Sequence, residues 1–284
     1  MLELPDVMLC AVDTANVSTT IAVLNKSLSQ VRFGDAALLT HEIPTGQFPF
    51  RTEIIPSLRS RAEYCRFVVT RLGAFTTRKF NLLVQWDGFV VQPSAWCPEF
   101  LKYDYIGARW PWYRDGMDVG NSGFCLRSKK LLDRISTAAL AAGTPDMADD
   151  IFICRFLRPE LEKDGIRFAP AQVADRFAYE SGLPDRETFG FHGLFNMWRH
   201  VSDTEMVRFA AEAADYLVSD RVWAETIVIY FNLRKFPPLK AFYRRLRTEF
   251  TMEQVIHEFR EFRHFLPISE PDIDQFVRTL ERLV

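Results

Sequence analysis

The position of Asp87 in this sequence suggests chemistry. It follows the apolar residues 82–84 in the stretch Asn-Leu-Leu-Val-Gln-Trp-Asp-Gly-Phe, residues 81–89. A continuous apolar run is typical of a buried strand in a parallel sheet, and an unpaired charge inside one is costly. We therefore expect Asp87 at the carboxyl end of the strand, where open α/β sheets bind ligands and an acidic group can hold a phosphate-bound metal ion. Gly88 would admit a ligand or a second backbone, although Asp-Gly is also a common turn signal.

Asp149 and Asp150 form a second acidic group, directly before the apolar run 151–154. A carboxylate in the first turn of a helix is stabilised by the helix dipole, which explains one of the two. Two together beside a buried helix indicate a catalytic base or a metal contact. Thr144 or Asp146 is the expected N-cap of this helix.

His192 lies in the stretch Phe-Gly-Phe-His-Gly, residues 189–193, and is a candidate metal ligand, with a structural role as the alternative. Upstream, Gly120 and Gly123 bracket Asn121 and Ser122. Glycines allow the backbone to approach a ligand closely, and an Asn side chain offers both a donor and an acceptor.

Aromatic and basic side chains could contact a substrate. Trp110 and Trp112 lie in the loop 108–115, where their rings could stack on a sugar or instead fill a hydrophobic plug. A predicted helix over 58–72 carries four arginines, which either form a solvated face or, if the helix borders a nucleotide crevice, bring one of their number within reach of a diphosphate. They are Arg59, Arg61, Arg66 and Arg71.

The segments around these residues predict an α/β sheet. An apolar strand over 7–12 leads through Asp13 and Thr14 into a helix over 17–28 and a second strand over 36–40. This β-α-β order predicts parallel strands with right-handed crossovers, and the first turn offers Asp13 and backbone N–H groups to a nucleotide. Neither G-x-G-x-x-G after this strand nor a Walker A motif occurs, which counts against dinucleotide oxidoreductases and P-loop enzymes.

The pattern changes near residue 202, after which successive helices are predicted. Their ranges are 203–219, 221–233, 238–249, 252–265 and 271–283. We therefore predict a catalytic domain over 1–200 and a helical extension over 201–284. The segment 234–247 contains six cationic residues and no acidic one. It could contact a membrane surface or an acidic partner, or form the solvated face of a packed helix.

Composition limits the classes of function. With 35 basic and 37 acidic residues the formal charge is −2, which gives no case for nucleic-acid binding, even by the basic C-terminal helices. No apolar run reaches the length of a membrane span, and no basic region precedes the N-terminal apolar stretch. The five cysteines form no C-x-x-C pair and predict a reducing compartment. We expect a soluble cytoplasmic protein, with peripheral contact at the inner membrane as an alternative.

Five motifs in this order resemble a glycosyltransferase-like family whose members are mostly of unknown function. They are Gln85-Trp-Asp-Gly-Phe, Asp104-Tyr-Ile-Gly-Ala, Val119-Gly-Asn-Ser-Gly-Phe-Cys-Leu-Arg-Ser, Asp149-Asp150 and Phe189-Gly-Phe-His-Gly. The same order is similar to the wider group of GT-A glycosyltransferases, including the β-1,4-galactosyltransferases. The resemblance covers about residues 7–195.

The resemblance implies a mixed, mainly parallel GT-A-like (Rossmann-like) sheet flanked by helices, and a metal site. Asp87 takes the place of the last Asp of the D-x-D motif, which binds the divalent metal on the nucleotide diphosphate. Gln85 replaces the first Asp and could bond a ribose hydroxyl. His192 takes the place of a late histidine that completes the metal site, for which Mn²⁺ or Mg²⁺ is expected.

The resemblance also implies a transferase mechanism. Asp149-Asp150 look like a Glu-Asp pair that, in inverting enzymes, supplies the base for the acceptor hydroxyl, and either residue could be that base. Trp110 and Trp112 are the candidate acceptor-binding residues. The candidate donor-binding residues are Asp13, Thr14, Gln85, Asp87, Gly88, Asn121, Ser122 and Gly123.

The expected function is therefore metal-dependent, inverting glycosyl transfer from a nucleotide sugar, with a UDP-sugar favoured, to a saccharide or glycoconjugate in polysaccharide biosynthesis. The alternative is a catalytically silent subunit that binds a nucleotide sugar or acts as a scaffold.

Overall fold

The computed structural model of the protein describes residues 1–142, 147–266 and 272–284. The chain divides into two compact units, residues 1–192 and 193–284, whereas the sequence suggested a boundary after residue 200. The candidate caps Thr144 and Asp146, and the predicted start of the last helix at Pro271, lie outside the described residues.

Unit 1 is built on a six-stranded sheet. In chain order its strands are β1 (Leu2–Val12), β2 (Val31–Thr40), β3 (Arg51–Ile54), β4 (Phe80–Val84), β5 (Tyr105–Ile106) and β6 (Phe124–Ser128). Their order across the sheet is β3-β2-β1-β4-β6-β5. The first four in that order are parallel to one another, and β6 is antiparallel to both β4 and β5. The predicted mixed, mainly parallel sheet is confirmed.

The reversed direction of β6 determines where the preceding loop lies. Val84 at the end of β4 pairs with Phe124 at the start of β6, and the Gln85 N–H donates to the Gly123 carbonyl at 2.8 Å. The residues just before β6 therefore share one edge of the sheet with the carboxyl ends of the parallel strands. We call this the carboxyl edge.

Seven α-helices belong to unit 1 among its described residues. They are α1 (Val17–Leu28), α2 (Arg61–Thr70), α3 (Leu72–Phe75), α4 (Lys129–Ala142), α5 (Asp149–Ile151), α6 (Arg158–Lys163) and α7 (Ala171–Phe177). The helix predicted over 58–72 begins only at Arg61, because the Ser60 side chain accepts a hydrogen bond from the Glu63 N–H at 3.2 Å and caps it. α5 continues into a π-helical turn, Phe152–Phe156.

The core of unit 1 lies between the strands and these helices. Residues 7–12 of β1 and 81–84 of β4 are buried throughout, as the continuous apolar runs predicted. All five cysteines are free, and four are buried, which agrees with a role as small core residues.

A second, two-stranded parallel sheet consists of β7 (Ala178–Tyr179) and β8 (Gly190–Phe191). It is joined to the segment after β4 by a bridge between Val90 and Gly190. Phe89 also meets Phe191 edge-on, with ring centroids 4.9 Å apart.

Unit 2 is helical where described, as predicted. Its α-helices are α8 (Asp203–Glu212), α9 (Asp215–Val218), α10 (Arg221–Asn232), α11 (Phe236–Glu249), α12 (Met252–Glu261) and α13 (Ile273–Leu283). The helix predicted over 203–219 is in fact two, because Ala213 and Ala214 are extended. α8 begins with a capping box of Ser202 and Glu205. In the core of unit 2, the ring centroids of Trp223 and Phe242 lie 4.4 Å apart.

Between described residues of unit 2, three of the six cations of the basic segment 234–247 form ion pairs. Lys235 pairs with Asp203 at 2.5 Å and Arg247 with Glu281 at 2.6 Å. Arg245 pairs with Asp215 and Glu249. This arrangement favours the alternative of a basic face on a packed helix. No helix in the described ranges combines the length and apolarity that a membrane crossing needs.

Candidate active site

Asp87 lies in a tight turn at the carboxyl edge, directly after β4. The turn is closed by the Gly88 N–H, which donates to the Gln85 carbonyl at 3.1 Å. A Cβ on Gly88 would lie 2.8 Å from the Phe191 carbonyl oxygen and 2.9 Å from that of Gly123. Gly88 is therefore required for contact with other backbone segments, which was one of its two predicted roles.

The turn brings Asp87 into contact with His192. Asp87 is only 5% exposed, and its Oδ1 lies 3.1 Å from His192 Nε2. Asp87 Oδ1 accepts no hydrogen bond from the described residues, so the contact is an ion pair without hydrogen-bond geometry. The structure therefore brings together the two residues predicted as metal ligands.

A second carboxylate lies on the other side of the His192 ring. His192 Nδ1 is 2.9 Å from Glu180 Oε1 and 3.0 Å from Asn121 Nδ2. Burial acts to lower the pKa of His192, but the Asp87 and Glu180 carboxylates outweigh it and hold that pKa well above its ordinary value. In this arrangement His192 is an imidazolium between two carboxylates.

Asn121 fixes the loop that leads into β6. Its backbone is left-handed, with φ 69°, a conformation that Asn tolerates better than most residues. Its Oδ1 accepts hydrogen bonds from the N–H groups of Gly123 at 3.0 Å and Phe124 at 3.2 Å. Because the oxygen is held there, the amide nitrogen faces His192. A Cβ on Gly123 would lie 1.9 Å from the His192 ring, so only glycine fits under the imidazole.

Asp149 is the buried member of the acidic pair, at 3% exposure. Its Oδ2 accepts hydrogen bonds from Ser122 Oγ at 2.7 Å and from Arg127 Nη2 at 2.8 Å, and Cys65 Sγ lies 3.8 Å from its Oδ1. Arg127 is completely buried and also donates to Ser122 Oγ at 3.1 Å. Asp149 thus holds the Ser122 loop against β6 through a buried ion pair.

Asp150 has a different environment. It is half-buried, and its Oδ1 accepts a hydrogen bond from the Ile151 N–H at 2.8 Å. Burial, followed by the negative charges of Asp149 and Glu180, raises the pKa of Asp150 to about 6. A carboxylate of this kind is ionised at neutral pH and is a stronger base than an ordinary Asp.

Gln85 connects β4 with helix α2. Its Nε2 donates to the Tyr64 hydroxyl at 3.0 Å. Burial and the Asp149 charge raise the pKa of Tyr64 well above its ordinary value, so this phenol stays neutral. The four arginines predicted near this helix are exposed at 59, 61, 66 and 71.

Asp13 and Thr14, at the end of the neighbouring strand β1, bond to their own surroundings. Asp13 Oδ1 accepts hydrogen bonds from the N–H groups of Ala15 and Asn16, and its Oδ2 accepts one from Thr20 Oγ1. Thr14 Oγ1 bonds to the backbone of Leu58 at 3.0 Å. Both residues shape the turn into α1, and contact with a donor stays a prediction for them.

The two tryptophans of the predicted acceptor site differ in environment. Trp110 is 3% exposed and belongs to the core, where a Cβ on Gly120 would lie 2.0 Å from its ring. Trp112 is 57% exposed. Only Trp112 therefore presents an aromatic face to solvent, and the plug that the sequence allowed as an alternative describes Trp110.

Two residues of this cluster were not singled out from the sequence. Arg127 lies within the Gly-Asn-Ser-Gly-Phe-Cys-Leu-Arg-Ser motif, and an arginine inside an apolar strand was a usable signal for a buried ion pair. Glu180 carries no local signal, because its partner His192 is brought to it by the pairing of β7 with β8.

The Asp87–His192 pair fits a divalent metal ion only in part. Across 1–142, 147–266 and 272–284, no group of three His, Cys, Asp or Glu side chains is arranged to hold one. Mg²⁺ sites, however, often use one or two protein ligands and complete the coordination with substrate phosphates. Metal-ligating histidines usually donate their second ring N–H to a carboxylate, which is the position of Glu180. These residues fit an ion whose remaining coordination positions are filled by waters or by the oxygens of a diphosphate.

The comparison with protein families gives one match. The family described as "Protein of unknown function (DUF5672)" matches residues 50–192, which is 143 of the 284 residues. The chain belongs to the DUF5672 family. In this DUF5672 protein the matched range contains Asp87, Asn121, Asp149, Asp150 and His192. No curated protein matches the sequence.

The DUF5672 protein is also similar to solved structures of glycosyltransferases. One is "a glycosyltransferase involved in the glycosylation of the major capsid of PBCV-1", with 10% identity, a TM-score of 0.38, and coverage of 70% of this chain and 95% of that one. Another is the apo form of the glycosyltransferase GlyE of Streptococcus pneumoniae TIGR4, with 12% identity, a TM-score of 0.36, and coverage of 69% of this chain and 56% of that one. Both TM-scores are below 0.5.

Proposed function

We propose that this DUF5672 protein is a GT-A-type glycosyltransferase that moves a sugar from a nucleotide-sugar donor to a hydroxyl group of a saccharide or other acceptor, with inversion. One observation carries the proposal: residues from four separate segments form a continuous set of contacts at the carboxyl edge. Asp87 contacts His192, His192 contacts Asn121, and the adjacent Ser122 bonds to Asp149. The sequence resemblance points to the same reaction.

Glycosyl transfer defines what such a site must do. The transition state is oxocarbenium-like, the incoming hydroxyl must lose a proton, and the departing diphosphate must be stabilised. The cluster has one ionisable group suited to accepting the hydroxyl proton and one pair of residues suited to stabilising the diphosphate.

Asp150 is the base in this proposal. Asp149 is excluded by its surroundings, because its carboxylate is buried and bonded to Ser122, Arg127 and Cys65. Asp150 is more accessible, and its pKa of about 6 leaves it ionised at pH 7 while keeping it basic enough to accept the proton of a polarised hydroxyl.

In this proposal, Asp87 and His192 stabilise the departing diphosphate. A divalent cation such as Mn²⁺ or Mg²⁺, when bound to them, would offset the charge that develops on the diphosphate. Carboxylate oxygen and imidazole nitrogen together suit Mn²⁺. Asn121 and Gly123 keep the His192 ring in position, and the exposed Trp112 offers a stacking face to an acceptor sugar.

The test is a ligand screen followed by a transfer assay. UDP-, GDP- and dTDP-sugars are screened for thermal stabilisation with and without Mn²⁺, because a ligand that binds the folded state raises its apparent stability. We expect a UDP-sugar to stabilise the protein and to be turned over. Asp150→Asn should abolish turnover and retain binding, whereas Asp87→Ala should lose both.

The matched control is Asp6→Ala. Asp6 is a half-exposed carboxylate in the first half of β1, and the carboxyl edge lies at the other end of that strand. Wild-type turnover in Asp150→Asn would remove the base assignment. Failure of every nucleotide sugar to bind would remove the transferase proposal.

Gln85 favours a second candidate, a catalytically silent subunit that binds a nucleotide sugar. It puts a neutral amide, bonded to Tyr64, where a charged Asp would add to the attraction for a cation. Stabilisation by UDP together with an absence of hydrolysis or transfer for every donor would support this candidate.

A further inference from the structure

Glu180 is brought to His192 by the register of the small sheet. Tyr179 pairs with Phe191 as the last residues of β7 and β8, and Glu180 and His192 follow them directly. The His192 N–H donates to the Tyr179 carbonyl at 2.9 Å, which extends the pairing by one step. Neighbouring residues in a parallel pair project their side chains to the same face, so this sheet delivers the carboxylate and the imidazole side by side.

Two side chains meet the same ring nitrogen of His192. Asn121 Nδ2 lies 3.0 Å from Nδ1, and its orientation is set because its Oδ1 already accepts from the Gly123 and Phe124 N–H groups. An amide N–H can donate to Nδ1 only if that nitrogen carries no proton. Glu180 Oε1, at 2.9 Å, is an acceptor and requires a proton on Nδ1.

Charge decides between these two partners. A hydrogen bond to an ionised carboxylate is roughly twice as strong as one between neutral groups. The proton therefore stays on Nδ1 and is donated to Glu180. The neutral ring then has a lone pair on Nε2, and Nε2 faces Asp87 Oδ1 at 3.1 Å.

Two electron-rich atoms at that distance repel each other unless a cation lies against both. A proton on Nε2 supplies this cation when nothing else is bound, and a divalent ion can take its place. The surroundings of Asp87 agree, since its Oδ1 accepts no hydrogen bond from the described side chains or backbone.

We propose that Glu180 is a positioning residue that accepts the Nδ1 proton of His192, fixes the tautomer whose Nε2 faces Asp87, and so prepares the Asp87–His192 pair for a divalent cation. This inference rests on the metal-assisted form of the proposed function and adds to it a residue that neither the sequence motifs nor the resemblance indicated.

The test measures binding of Mn²⁺ alone, by the electron paramagnetic resonance signal of the free ion, in wild-type protein and in Glu180→Gln. Loss of such an outer partner typically weakens metal binding 10- to 100-fold. We expect an increase of roughly that size in the Mn²⁺ Kd, and no binding at this site in Asp87→Ala. The ¹⁵N shifts of the His192 ring in the Mg²⁺-loaded protein should show the proton on Nδ1 in the wild type.

Two further variants separate positioning from folding and from bulk charge. Glu180→Asp keeps the charge but shortens the reach, so it should also weaken Mn²⁺ binding, and thermal unfolding of both variants shows whether they fold. Glu3→Gln removes a carboxylate that pairs with Arg32 near the start of β1 and should leave the Kd unchanged. An unchanged Kd in Glu180→Gln, an equal weakening in Glu3→Gln, or no Mn²⁺ binding by the wild type would each overturn the inference.

Failure of the transferase proposal gives a different result. Mn²⁺ binding that depends on Glu180, combined with no turnover of any nucleotide sugar, would support the role of Glu180 and remove the transferase. Turnover in metal-free buffer, combined with no Mn²⁺ binding, would do the reverse.

Discussion

Asp149 and Asp150 are adjacent in the chain, yet their carboxylates have different partners. The carboxylate of Asp149 is buried and accepts hydrogen bonds from Arg127 and Ser122. The carboxylate of Asp150 is half-buried, and within the described part of the chain it accepts a hydrogen bond only from the N–H of Ile151. The first arrangement holds a loop in place, and the second leaves a base with a raised pKa. The acidic pair therefore divides into a structural member, Asp149, and the member that we propose as the base, Asp150.

Replacing Asp150 should separate activity from stability. The pKa of about 6 lies above the usual value for Asp, so the folded state binds the proton more tightly than the unfolded state. That contribution to stability is complete below the unfolded pKa and is lost as the pH rises through about 6. Asp150→Asn keeps the bond to the Ile151 N–H and should raise the free energy of unfolding at pH 8 by roughly 1–3 kcal/mol, measured by urea denaturation.

The same pKa predicts the pH dependence of turnover. The base works only when ionised, so kcat/KM should fall about tenfold per pH unit below pH 6 and level off above it. The pH profile of kcat/KM with the donor found in the ligand screen checks this. A profile that is flat from pH 5 to pH 8 would contradict the assignment of Asp150 as the base.

Arg127 should be far more important for stability than an exposed arginine. Arg127→Met leaves the buried Asp149 carboxylate unpaired, and we expect a loss of about 3–5 kcal/mol in the free energy of unfolding. The matched control is Arg134→Met, which breaks the partly exposed pair with Asp164 and should cost at most about 1 kcal/mol. Urea denaturation measures both.

A double variant tests the reason for that loss. Arg127→Met combined with Asp149→Leu removes both charges, so it should recover much of the stability that Arg127→Met loses. If the double variant is as unstable as the single one, the unpaired carboxylate is not the cause.

Gly123→Ala should displace the His192 ring. The added Cβ would lie 1.9 Å from the imidazole, so the ring must leave its place between Asp87 and Glu180. We expect the Mn²⁺ affinity, measured by the electron paramagnetic resonance signal of the free ion, to fall at least tenfold. Gly116→Ala is the control, because its Cβ would meet no atom within 4 Å although its φ of +80° is strained. Equal Mn²⁺ affinity in the two variants would contradict the packing of His192 on Gly123.

The two tryptophans should respond in opposite ways. Trp110→Ala removes a buried ring and should cost about 3–5 kcal/mol of stability, whereas Trp112→Ala at the surface should change stability by less than about 1 kcal/mol. If Trp112 stacks on an acceptor sugar, its variant should raise the acceptor KM in the transfer assay and leave the donor KM unchanged. A normal acceptor KM would remove Trp112 from the acceptor site.

Much of the fold follows from local sequence patterns. The apolar runs at 7–12 and 82–84 predicted buried strands, and the polar residues that follow them predicted which side chains would lie at one edge of the sheet. Those patterns are reliable because period and burial are properties of a single element and its faces. The capping box at Ser202 likewise needs only residues three positions apart.

The sequence by itself identified Asp87, Asn121, the acidic pair and His192 as the candidate site residues. The tertiary structure alone decided that Asp149 is sealed by Arg127, that Trp110 belongs to the core, that the Asp13 carboxylate bonds within its own turn, and that Glu180 meets His192. Each of these depends on which distant segments pack together. A side chain's partners and pKa are set by atoms a few ångströms away in space, and the order of residues along one chain does not report those distances.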